Sequence, residues 1–214
     1  MNAIKTLVLF PQVILSTRIM SCCLLSLVLL SIPVDAATVL GVSMDRMLHR
    51  SALVFEGRVV GVETRQSEKS SMIYTHVTFE ILDVIHGSYE EPSIELRFLG
   101  GALPEGRGLH VSDMHYPEIG EEGIYFVESL ERMQVHPLYG WTQGHLLVRR
   151  DQRGVRRVTT HDGRPIAGLK PAADKTVAKL SRGAAEGLVF GASSDLAEGL
   201  EIGVFKQKLR EMAP

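Results

Sequence analysis

The stretch Met72 to Ile85 alternates its side chains almost without a break. Ile73, Thr75, Val77, Phe79 and Ile81 fall on one side; Tyr74, His76, Thr78, Glu80 and Leu82 fall on the other. Period-two alternation is the signature of a β-strand with one face in a core and the other toward solvent. Such a strand is not stable alone and needs partners in a sheet.

The flanking sequence supplies them. Ala52 to Thr64 is rich in valine and carries Gly57 and Gly61, which inside a strand point to bulges or sharp coiling. Ile94, Leu96 and Phe98 alternate with Glu95 and Arg97 in a third strand, reached through the turn His86 to Pro92. Gly123 to Leu130 is a further apolar strand. His145 to Arg150 and Val155 to Thr160 form a hairpin over Asp151-Gln152-Arg153-Gly154. Ahead of the strands, residues 42–51 read as a short helix capped by Ser43. The expected fold is mainly β: a small five- to six-stranded barrel of the oligonucleotide/oligosaccharide-binding type, with a short N-terminal helix and a C-terminal helical tail.

The domain organisation expected is a signal peptide over 1–36, the β-barrel domain over 37–166, a linker over 167–203 and a short amphipathic helix over 204–214. Lys5 and Arg18 precede the apolar run Ile19 to Pro33, and Val34-Asp35-Ala36 follows it. This is the order of a secretory signal, and the run is short for a membrane span. The mature chain is expected to be secreted or periplasmic, with no stable membrane span after cleavage; retention of the N-terminus as an anchor is the alternative. Both cysteines, Cys22 and Cys23, lie inside the run, so the mature chain has neither disulfides nor thiolate chemistry. Its core must then come from apolar side chains alone. The linker expectation rests on the Ala, Gly, Lys and Ser composition of the segment. In the tail, Phe205, Leu209 and Met212 share one side.

The whole chain carries a net charge of −2; without Lys5, Arg18 and Asp35, 21 basic and 24 acidic residues remain, a net −3. That balance gives no electrostatic reason to expect nucleic acid.

Several short segments together resemble a group of uncharacterised exported bacterial proteins. They are Val54 to Val60, Tyr74 to Ile81, Leu99-Gly100-Gly101, Pro117 to Glu122 leading into Tyr125-Phe126, and Gly140-Trp141-Thr142-Gln143-Gly144. More distantly the pattern is similar to netrin-like barrels, which include the tissue inhibitors of metalloproteinases. The resemblance implies an OB-type barrel and suggests a protease as one conceivable partner. Those inhibitors use an N-terminal cysteine on the protease zinc; the mature start expected here, Ala37-Thr38, has none.

Two irregular stretches stand out, 100–120 and 133–144. Long loops on a rigid scaffold commonly carry recognition. The leading expectation is therefore an exported, non-enzymatic binding module that recognises a protein or peptide of the cell envelope. Its contacts would be Tyr116, Pro117, Tyr139, Trp141 and Gln143. The alternative reading of Trp141 is a plug in one end of the barrel. No cofactor is implied. A second reading from another class is a metal-binding protein or metal-dependent enzyme using the loop residues His110, Asp113 and His115, and possibly His136. No HExxH, nucleophile elbow or Walker spacing is present.

Overall fold

The structure is a computed structural model that describes residues 39–170, 180–181 and 183–213. The expected signal peptide, 1–36, lies outside the described residues. In chain order the elements are β1 (Val39–Leu40), α1 (Met44–Arg50), β2 (Leu53–Gln66), β3 (Ile73–His86), β4 (Ser93–Leu99), β5 (Gly101–Ala102), β6 (Gly108–Leu109) and β7 (Glu122–Val127). A 3-10 turn (Trp141–Gly144), β8 (His145–Arg150), β9 (Arg156–Thr160), β10 (Ile166–Leu169), β11 (Leu180–Ser181), β12 (Leu188–Phe190), a second 3-10 turn (Leu196–Glu198) and α2 (Ile202–Met212) follow.

The main sheet is antiparallel, with strand order β4-β3-β2-β7-β8-β9. The mainly β class and both helices are as expected, and Ser43 caps α1, its hydroxyl accepting the Arg46 N–H at 3.3 Å. The sheet is open: no pairing among the described residues joins β4 to β9. It curls instead of closing. The β2–β3 register shifts between Val54 and Phe55, between Glu56 and Gly57, and between Val59 and Gly61. Each such bulge adds twist and turns the following side chains to a new face. Gly57 sits at one of them because a Cβ there would fall 2.6 Å from the Phe55 ring.

Both faces of the central strands are covered, so β7 is buried along nearly its whole length. On one face Val54, Ile124, Phe126, Leu146, Val148 and Val158 pack under Met47 and Leu48 of α1 and Phe205 and Leu209 of α2. On the other, Leu53, Phe55, Phe79, Phe98, Tyr125 and Leu138 form a second core inside the curl. Three of its rings meet closely: Phe79 lies 4.6 Å from Tyr125 and 5.6 Å from Phe55.

The expected linker, 167–203, is a correction. Among its described residues, β10 pairs with β12, and Leu188 and Phe190 pack against the helix-side core. Leu200 donates its N–H to Ile166 O at 2.8 Å and accepts that of Val158 at 3.0 Å. The β domain thus continues past 166 to the terminal helix, which begins at Ile202 instead of 204. Strands this short carry no periodicity, so only their composition is visible in the sequence.

Candidate functional site

The 3-10 turn Trp141–Gly144 reads as a recognition motif in the sequence, but much of it is spent on folding. The Gln143 side chain is buried; its Oε1 accepts the Val42 N–H at 2.9 Å and its Nε2 donates to Leu40 O at 3.0 Å. Gln143 therefore ties down the segment before α1. Pro117 is buried, and Tyr139 is half-buried against the helix-side core. Tyr116 keeps a partly exposed ring, while its hydroxyl donates to Leu99 O at 3.0 Å. Trp141 is also partly exposed, with a left-handed φ of 60° that a bulky residue seldom adopts.

The two irregular stretches are joined by a chain of rings. Trp141 stacks on His136 at 5.0 Å, His136 meets Phe98 edge-on at 5.1 Å, and Phe98 meets Tyr116 at 6.1 Å. His136 is no ligand in waiting. Its Nδ1 accepts the Leu138 N–H at 3.1 Å, and burial brings its pKa down to about 3. It is a neutral aromatic filler between Phe98 and Trp141.

His110 and Asp113 are exposed, and Asp113 adopts a left-handed φ of 58°. The rings that meet His115 are others: His161 at 4.4 Å and His145 at 5.6 Å. His145 opens β8 and stacks at 5.0 Å on Tyr125, its register partner on β7. His161 follows β9 directly. The β8–β9 register pairs Leu146 with Thr160, so one step further His145 stands opposite His161. The His115 loop lays the third ring against them.

Glu121, just before β7, completes the group. Its Oε1 accepts from His145 Nε2 at 2.7 Å and from the Tyr125 hydroxyl at 3.1 Å. Burial alone would raise this carboxyl; the hydrogen bond and charge of His145, then the Tyr125 hydroxyl, outweigh it and leave it below the usual carboxylate range. Burial, and then the Glu121 charge, raise Tyr125 well above the usual phenol. Burial, then the neighbouring His161 and His145, lower His115; burial, then His145, lower His161. Among the described residues no group of three or more His, Cys, Asp or Glu side chains is placed so that it could hold a metal ion.

A separate surface lies beside the open edge of β4. The segment after β7 runs along it, and Leu99 donates its N–H to Val135 O at 3.0 Å. Between them is a groove of about 220 Å³ whose walls include Ile94, Leu96, Leu130, Met133 and Pro137. Leu130, Met133 and the neighbouring Val135 are exposed, Met133 by 60%. The hairpin arginines, by contrast, are partly consumed internally: Arg156 binds Glu56 and Glu122, and Arg157 binds Asp151 and Gly199 O. No helix among the described residues is long and apolar enough to cross a membrane.

No protein-family model, curated protein or solved structure matches the chain.

Proposed function

We propose that this protein is an exported binding module, without enzymatic activity, that takes up an extended segment of a protein partner of the cell envelope. The binding surface is the groove beside β4, continued through the partly exposed rings of Tyr116 and Trp141. The observation that carries this reading is the coincidence of an open sheet edge with exposed apolar side chains from the facing segment. An edge strand offers unpaired N–H and C=O groups, and proteins usually blunt such edges with charge, proline or a covering element. Here the wall facing the edge presents Leu130 and Met133, as a site for strand addition requires. Backbone pairing would supply affinity and the apolar wall selectivity. Of the five residues expected from sequence to touch a partner, the proposal keeps Tyr116 and Trp141, whose rings are partly exposed; Pro117 and Gln143 are buried and Tyr139 packs against the helix-side core.

The test is selection of peptides on the full chain, followed by calorimetry on the best binder. Met133→Asp and Val135→Asp sit at exposed positions and leave the core intact. Each should weaken binding about tenfold, the effect of removing an apolar anchor from an interface hot spot, as should methylation of alternate peptide nitrogens. Binding untouched by these changes defeats the proposal.

A further inference from the structure

The edge of β4 is open over only part of its length. β4 pairs with β3 without a bulge, from Tyr74 with Leu99 to Glu80 with Ser93. Just beyond the two ends, Gly100 donates its N–H to Ile73 O at 2.7 Å, and Ile81 donates its N–H to Pro92 O at 2.9 Å. In an antiparallel pair, the backbone groups of successive residues point alternately toward the neighbour and away from it. Ile94, Leu96 and Phe98 therefore spend theirs on β3, while Ser93, Glu95, Arg97 and Leu99 turn theirs to the groove. Both ends of that row are capped. The Leu99 N–H goes to Val135 O at 3.0 Å, and its carbonyl accepts the Tyr116 hydroxyl at 3.0 Å. Ser93 O accepts the Tyr89 hydroxyl at 3.2 Å. Between the caps, the N–H and C=O of Glu95 and of Arg97 have no partner among the described residues.

An added antiparallel strand meets all of these groups with the residues opposite Glu95 and Arg97 alone. Residues directly opposite each other share a face of the sheet. Glu95 and Arg97 point to the exposed face and Leu96 to the buried one. The incoming residue opposite Leu96 therefore turns to the side where Leu130, Met133 and Pro137 line the groove, and it must be apolar. The charges are unequal in a useful way. The Glu95 carboxylate is engaged by His76 Nδ1 at 2.8 Å, with Arg65 at 3.7 Å. The Arg97 guanidinium has no hydrogen-bond or ion-pair partner among the described residues. Arg132 on the facing wall reaches only Glu128, at 3.9 Å. The groove thus offers two poorly compensated cations, and its own carboxylate is already taken.

We propose that the groove selects an antiparallel strand with an acidic residue opposite Arg97, followed in the partner's chain direction by an apolar residue opposite Leu96. This deepens the groove reading above and rests on it. The caps at Tyr116 and Tyr89 stop the pairing on either side, so the recognised stretch is short.

The experiment titrates the full chain, by nuclear magnetic resonance, with blocked heptapeptides of threonine that carry valine at the centre and either glutamate or lysine just before it. The glutamate peptide should bind about fivefold more tightly, as expected when a cross-strand pair changes from opposite to like charge. Arg97→Glu, at an exposed position, should reverse the order, and Arg97→Gln should remove most of the preference. Methylating the glutamate nitrogen, which faces β4, should abolish binding; methylating the valine nitrogen, which faces away, should leave it. Circular dichroism checks the folding of each variant. Equal binding of the two peptides, or a preference that persists in folded Arg97→Glu and Arg97→Gln, overturns the acidic selectivity. If both peptides still lose affinity in Met133→Asp, the groove itself stands. Two methylated peptides that behave alike overturn the register. Failure of both peptides to bind overturns this inference, and the peptide selection described above then decides separately whether the groove takes any strand.

Discussion

The two faces of the sheet end in opposite ways. Toward α2, the apolar core gives way to a seam of charges that neutralise one another. Glu56 is buried and binds Arg156 and Lys206; Lys206 also binds Asp83 at 2.6 Å, and Asp83 binds Arg210 at 2.8 Å. Glu122 joins the seam through Arg58 at 2.7 Å and Arg156 at 3.1 Å. Burial alone would raise Asp83, but hydrogen bonds from Lys206 and Arg210 carry it below its ordinary range. On the opposite face the aromatic core ends in His145, His115 and His161, of which only His145 is hydrogen-bonded to Glu121. The first face is closed by the chain's own ions. The second ends in packed rings with one carboxylate beside them.

The largest test of this contrast strikes the closed face. Glu56→Ala strips Arg156 and Lys206 of a buried partner and should cost about 3 kcal/mol in chemical denaturation. A loss below about 1 kcal/mol would mean that the seam is surface decoration and that the two faces do not differ in this way.

Acid should then separate the faces. The folded pKa of His136, about 3, lies below its ordinary value of 6.5. Between those values the unfolded chain binds a proton that the folded chain refuses. Stability from this group is therefore complete above pH 6.5 and is lost as pH falls toward 3, on the order of 3 kcal/mol between pH 7 and pH 4. His136→Phe removes this term, so its unfolding free energy should fall less steeply over that range. An unchanged slope would refute the neutral filler role.

The smallest effect is expected at the hinge between core and histidines. Tyr125→Phe keeps the packing on Phe79 but takes one donor from Glu121, at a cost of about 1 kcal/mol. Thermal unfolding checks it, and a variant as stable as the wild type would show that the Tyr125 hydroxyl contributes nothing to holding Glu121.

Much of the scaffold is legible in the sequence for physical reasons. Ile73 to Phe79 alternate because one face of β3 is buried, and Gly57 and Gly61 mark bulges because no side chain fits at the first. The segment 167–203 is not legible, since strands of three or four residues are held by neighbours and not by pattern. The histidine group is hidden differently. His115, His145 and His161 are far apart in sequence, and His110 with Asp113 offers a more tempting local grouping. A signal does exist. Counting outward from the turn at Asp151 to Gly154 places His145 opposite His161, but nothing in the sequence lays the His115 loop across them.

Lys206 and Glu56 stand 150 positions apart. During synthesis the early strands emerge long before the helix that covers them, so a nascent chain displays a greasy surface and an uncompensated anion side by side. That interval is when a chaperone would find its best grip, and a chain shortened ahead of Phe205 would never leave it.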